Sequence, residues 1–264
     1  MTYKILSLLF ICFLGQNACF DSQNATKKIS EINRNNSKQY KIDYSLWETL
    51  LSEHVTKNGF VDYESFQKDN QKLNRFTEHL LQNSPQSSWS VNQKKAYLIN
   101  AYNAFTIQLV IENYPVESIK DIGGFLSNVF KNNFINFNGN LISLDDIEKG
   151  MLLPMGDERV HFAVNCASFS CPKLDNRPYL PENLDEHLNQ STENFLSSER
   201  NFINENEAKL SKIFKWYKSD FEKNGKTLID FINQYSKTKL KPDADIEYLD
   251  YDWNLNSINK RDNF

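Results

Sequence analysis

Glycine and proline are scarce in this chain, at 8 and 7 of 264 residues, and cysteine occurs only four times. Those counts exclude a collagen-like chain and a disulfide-dense scaffold. An excess of positive charge is also missing. The 30 Lys+Arg stand against 34 Asp+Glu, a net charge of −4, which removes any general electrostatic ground for binding nucleic acid or an anionic membrane surface. There is no Gly-rich phosphate loop, no Gly-x-Ser-x-Gly elbow and no His-Glu-x-x-His segment, so nucleotide binding, serine hydrolysis of the α/β type and zincin chemistry lack support, and no cofactor is expected. What the chain does have is 40% hydrophobic residues, including 19 Phe, 12 Tyr and 4 Trp, enough to fill a sizeable core.

The four cysteines are not equivalent. Lys4 precedes an apolar run from Ile5 to Leu14, and Gly15-Gln16-Asn17-Ala18-Cys19 follows. A basic start and an apolar stretch well short of the ~20 residues of a membrane span read as a signal peptide over residues 1–18. Ala18-Cys19 is similar to the end of a bacterial lipoprotein signal, with Gln16 where an aliphatic residue is usual, which makes Cys19 a candidate lipidation site. Residues 19–42 are rich in Asn, Ser, Lys and Gln and read as a flexible tether. The expected location is therefore outside the cytoplasm, in the periplasm or at the outer membrane surface, with membrane contact through the lipid alone. Cys12 is expected to be discarded with the signal.

Residues 43–264 read as a single α+β domain, with helices early in the chain packed against a small, mainly antiparallel sheet. Ser45 to Glu48 has capping-box spacing, and Leu46, Trp47, Leu50, Leu51 and Val55 form one helical face. Gly59 stops that pattern. A second helical stretch runs through Leu73, Phe76, Leu80 and Leu81. Ser90 and Gln93 form another capping box, opening a helix over residues 93–113 that is apolar on nearly every side and therefore central and buried. Asn138-Gly139 joins two short strands, Ser143 to Asp146 can cap a short helix, and Gly156 closes it. The run from Val160 to Cys166 reads as a buried strand, residues 184–195 as a helix, 210–217 as a weak strand, 227–235 as a helix and 246–255 as a final aromatic strand.

Two groups of residues could carry chemistry. Asn100 and Asn103 share a face of the central helix, and buried amides without partners cost about 1–3 kcal/mol each, so they require a specific polar network. They either tie the helix to loop backbone or line a ligand site. The second group is His161, Cys166 and Cys171. A thiolate–imidazole pair needs His161 and Cys166 on one side, but strand parity puts them on opposite faces unless the strand ends before Cys166. Cys166 and Cys171 can instead form a short disulfide, while a zinc site using His161 and both thiols lacks a fourth ligand. His54, His79 and His187 read as surface or boundary residues of amphipathic helices, and Asp145, Asp146 and Glu148 as an acidic first turn. The Tyr248–Asn256 stretch is either aromatic packing or a strip facing a cleft.

Gly59-Phe60-Val61-Asp62-Tyr63, Asn100-Ala101-Tyr102-Asn103-Ala104, His161-Phe162, Cys166-Ala167-Ser168, Ser170-Cys171-Pro172 and Leu249 to Asn256 together resemble the family called domain of unknown function 547. The likeness runs from about Tyr44 to Asn256. It implies kinship with exported bacterial proteins and parts of plant proteins and assigns no catalytic role. Two functions remain on these residues. One is a cell-envelope thiol enzyme acting on an amide or ester, with Cys166 as nucleophile, His161 as base and Asn100 or Asn103 as orienter or oxyanion donor. The other is a non-catalytic ligand-binding or scaffold domain with a Cys166–Cys171 disulfide.

Overall fold

The early part of the chain is built by helices whose apolar faces converge. A computed structural model describes residues 42–123 and 128–259; the expected signal peptide, Cys12, Cys19 and nearly all of the tether lie outside the described residues. Helix α1 (Ser45–His54) buries Trp47, Leu50 and Leu51, as its spacing predicts, but its capping differs from expectation. The N-cap is Tyr44 rather than Ser45, the Glu48 amide bonds Tyr44 O, and the first-turn amide of Ser45 is taken by Asp43 Oδ1 at 2.9 Å. Gly59 has φ +83°, and a Cβ there would sit 2.3 Å from Lys173 Cβ, so backbone conformation and close approach both demand glycine. Asp62 caps α2 (Tyr63–Lys68) by accepting from Ser65 N, and the chain pauses at Asp69 before α3 (Asn70–Gln82).

Helix α4 (Val91–Glu112) is the axis of the fold. The capping box of Ser90 and Gln93 forms as predicted, and buried residues surround the helix on every side from Lys95 to Ile111. The hairpin of β1 (Ile135–Phe137) and β2 (Asn140–Ile142) turns on Asn138 and Gly139, both with positive φ. Ser143 and Asp146 then cap each other and open a wide helical turn over Asp146–Leu152, which ends near Gly156 in the left-handed region.

The expected strand over Val160 to Cys166 does not form. Asp157 accepts the Arg159 amide and starts a tight 3-10 helix, Glu158–Phe162, after which the chain becomes a loop held by side-chain amides. A short apolar run is buried equally well in a turn, and period alone does not separate the two. Helix α5 (Leu184–Leu196) follows as expected. Beyond it, β3 (Phe202–Ile203) pairs antiparallel with β4 (Glu207–Leu210), and β4 pairs in parallel with β5 (Asp245–Tyr248). The weak strand expected over 210–217 is thus only its first residue; Ile213–Trp216 is the short helix α6, followed by α7 (Lys218–Phe221) and α8 (Leu228–Tyr235), which make the crossover to β5. The final strand ends at Tyr248, and the rest of the aromatic stretch continues extended, bridging Ser118 at Asn254 and Ser168 at Leu255.

The result is one α+β domain with mainly antiparallel small sheets. Its interior has two apolar clusters: a large one around α4, and a second in which Phe162, Phe195, Phe214, Phe221 and Phe231 pack ring on ring. No helix among the described residues is long and apolar enough to cross a membrane.

Candidate functional site

Residues 163–172 form a loop whose shape is set by three asparagines. Asn103 donates to Ala163 O (3.0 Å) and accepts from Asn165 N (2.8 Å), anchoring the loop to α4. Asn165 donates to Pro172 O (2.7 Å) and accepts from Ala167 N (2.9 Å), closing the loop on itself. Asn256 donates its backbone N–H to Ala167 O (3.0 Å), and its side-chain oxygen accepts from Tyr63 OH (2.6 Å). Ala167 sits at φ +61°, a conformation that costs a non-glycine residue free energy and persists only because neighbours hold it.

This loop presents Cys166. Its Sγ lies 3.0 Å from Cys171 Sγ, 3.0 Å from Ser168 Oγ and 3.3 Å from Tyr251 OH, and its backbone N–H points at Cys171 Sγ (3.0 Å). A disulfide is about 2.05 Å long, so the expected bridge is not formed and both cysteines are free thiols in hydrogen-bond contact. The hydrogen bond with Cys171, helped by the Ser168 and Tyr251 hydroxyls, outweighs burial and lowers the Cys166 thiol to about 7. Burial pushes the Cys171 thiol up. The pair is therefore asymmetric: Cys166 ionises more readily than an ordinary thiol and Cys171 less readily.

His161 belongs to a neighbouring pair. Its Nε2 is 2.9 Å from Asp220 Oδ2, and its ring lies on Tyr217 with centroids 4.0 Å apart. The hydrogen bond to His161, aided by Lys223, holds the Asp220 carboxyl at about 2 against a smaller desolvation effect. Although no strand separates them, Cys166 and His161 are not hydrogen-bonded to each other, because 3-10 winding turns the imidazole toward Asp220 of α7. Both residues nonetheless line one cleft of about 350 Å³, a volume within the small-molecule range. Glu148 lies deep in its wall and accepts from Tyr217 OH (2.7 Å), while Trp216, Tyr251 and Trp253 form its aromatic rim.

Asn100 and Asn103, read in the sequence as either loop ties or an orienter or oxyanion donor, are placed in the scaffold. Neither lines the cleft, and both amides bond to scaffold backbone. Asn100 accepts from Trp47 Nε1 and Tyr179 N and donates to Ala96 O and Tyr179 O, a complete set. Their role is to place loops. His187 is corrected: it is buried, bonded to Asp175 (3.0 Å) and stacked on Tyr179, rather than at the surface. His54 and His79 are boundary residues as expected, with His54 bonded to Asp69.

Asp220, Tyr217 and Ser168 were missed by sequence reasoning. Nothing near Asp220 marks it, since it lies 59 positions from its histidine. Tyr251 and Trp253 fulfil the cleft-facing reading of the late aromatic stretch. Among the described residues, His161, Cys166 and Cys171 do not converge as a ligand set. Of the described residues, only Glu53, His54 and Asp69 bring three donors together, and Lys72 already pairs with both carboxylates there.

Residues 86–196 match the family model described as a protein of unknown function, DUF547. That span contains α4, His161 and the Cys166 loop, whereas Asp220 and the aromatic rim lie beyond it. No curated protein and no solved structure matches the chain significantly.

Proposed function

We propose that this protein is a thiol-dependent acyl-transfer enzyme, a hydrolase or transferase acting on an amide or ester. The observation that carries the reading is a partly exposed Cys166 whose thiol is lowered to about 7, in a cleft it shares with a His161–Asp220 pair. Cys166 Sγ attacks the carbonyl carbon, the acyl group passes to sulfur as a thioester, and the leaving amine or alkoxide takes a proton. His161, oriented by the Asp220 carboxylate, is the group in the cleft suited to give that proton and later to take one from the incoming water or amine. Thiolate formation itself relies on Cys171, Ser168 and Tyr251 rather than on histidine. The basic-apolar start and Ala18-Cys19 support export and lipid attachment, and with them a cell-envelope setting for this chemistry.

The test is iodoacetamide labelling across pH 5–9 together with turnover of p-nitrophenyl acetate. Labelling of Cys166 should rise with a midpoint near pH 7, an acetyl group should appear on the 163–172 peptide, and Cys166→Ser should abolish both. A midpoint at the ~8.5 of an ordinary thiol, or undiminished turnover in the Cys166→Ser variant, would sink the reading. A second reading, a binding module without chemistry, is favoured by one observation: Trp216 is 48% exposed at the rim, beside Tyr251 and Trp253, as a ready stacking surface. Ligand-dependent quenching of tryptophan fluorescence with no acetylation would select it.

A further inference from the structure

The contact between the two sulfurs has a use that acyl transfer does not need. An acyl-transfer nucleophile requires one activated thiol; here a second, buried thiol is held 3.0 Å away with no other residue between them. The positioning is built in. Asn165 joins both ends of the loop, bonding Pro172 O beside Cys171 and Ala167 N beside Cys166, and Cys171 N bonds Ser168 O. Cys171 is shielded from solvent, so external thiols and oxidants meet Cys166 first.

We propose that Cys166 and Cys171 form an exchanging dithiol that reduces disulfides, with Cys166 as the attacking and Cys171 as the resolving sulfur. Cys166 thiolate attacks one sulfur of a substrate R–S–S–R′, forming a Cys166–S–R mixed disulfide and expelling R′S⁻. Cys171 then loses its proton to the cleft and attacks Cys166 Sγ, forming the Cys166–Cys171 bond and expelling RS⁻. The protein dithiol loses two electrons and the substrate disulfide gains them, and the sulfurs need to approach by only about 1 Å to reach bonding length. The asymmetric acidity of the pair suits this division: a thiolate at the mouth and a protonated reserve behind it. Once oxidised, the same pair has no free nucleophile, so the redox state also gates the acyl chemistry.

The proposal rests on the reading of Cys166 as a reactive thiolate, and its test separates the two. The reduced full-length protein, carrying Cys12→Ser and Cys19→Ser so that the wild-type Cys166–Cys171 pair supplies its two thiols, is mixed with glutathione disulfide without other reductant, then followed by intact mass, free-thiol count and peptide mapping. The wild type should lose both thiols, gain a Cys166–Cys171 linkage, release two glutathiones and retain none. Cys171→Ser should instead accumulate one glutathione per chain on Cys166. A wild type that keeps glutathione on Cys166, or that keeps both thiols free at oxidant levels which oxidise dithiothreitol, would overturn the proposal. Should the Cys171→Ser variant fail to fold, the wild-type mass and linkage still decide. Bridge formation without acetylation by p-nitrophenyl acetate removes the acyl-transfer reading alone; acetylation without a bridge removes the exchange proposal alone.

Discussion

At the scale of single residues, the proposed acyl-transfer reading divides between two sets of groups the jobs that a cysteine hydrolase usually gives to one histidine. The Cys166 thiolate is stabilised by hydroxyl and thiol donors, and His161 is tied to Asp220. Replacing Asp220 by Asn should therefore lower ester turnover on the order of 10²-fold by leaving the imidazole misoriented, while the rate of Cys166 alkylation stays unchanged. Equal losses in both would show that His161 acts on the thiol after all. Conversely, Cys171→Ala removes the largest contribution lowering the Cys166 thiol, so the alkylation midpoint should move upward from about 7 toward that of a free cysteine. Stopped alkylation at a series of pH values measures the shift.

At the scale of elements, α4 works as a pegboard. Asn100 holds Trp47 of α1 and the backbone of Tyr179, and three residues later Asn103 holds both Ala163 and Asn165 of the cysteine loop. Asn103→Ala should strand a buried carbonyl and a buried amide, costing about 2–3 kcal/mol in urea unfolding and lowering turnover as well. Asn100→Ala should cost a similar amount of stability with the thiol midpoint unmoved. This helix was legible in the sequence because its capping box and all-round apolarity are local signals. The hairpin was legible because Asn-Gly is, too. The cysteine loop was not, since side-chain amides from Asn103 and Asn256, distant in sequence, decide its course. His161 and Cys166 are kept apart by 3-10 winding and by Asp220, not by the parity of a strand, and neither cause is contained in the 160–166 run. The paired asparagines were recognised as a network, but which backbone groups they hold depends on the tertiary fold.

At the scale of the whole molecule, one charge cluster locks the 3-10 turn that carries His161 to both α4 and α5. Asp157 accepts from Lys95 (2.7 Å) and from Arg159 (2.8 Å), and Arg159 reaches on to Asp185 and Asn189. Burial works to raise the Asp157 carboxyl, but those cations win and hold it at about 2, below its ordinary 3.8. A depressed carboxylate stabilises the fold above its unfolded value and loses that contribution as pH falls from about 4 to 2, here about 2 kcal/mol. Melting temperatures should accordingly drop steeply over that interval in the wild type and less in Asp157→Asn, which should already be weaker at pH 7 because Lys95 is left buried without its anion. The segment after β5 has a similar reach. Its bridges at Asn254 and Leu255 stitch it to Ser118 and Ser168, its Asn256 fixes Ala167 and Tyr63, and its Tyr251 covers the Cys166 sulfur. Cys166 is made 85 residues before Tyr251, an interval of roughly 4–17 s at ordinary translation speeds. A newborn chain thus carries the thiol, with Ser168 and Cys171 close behind it, before the Tyr251 hydroxyl exists, so the order of synthesis leaves a window in which the sulfur meets whatever oxidant surrounds it without one of its three side-chain partners.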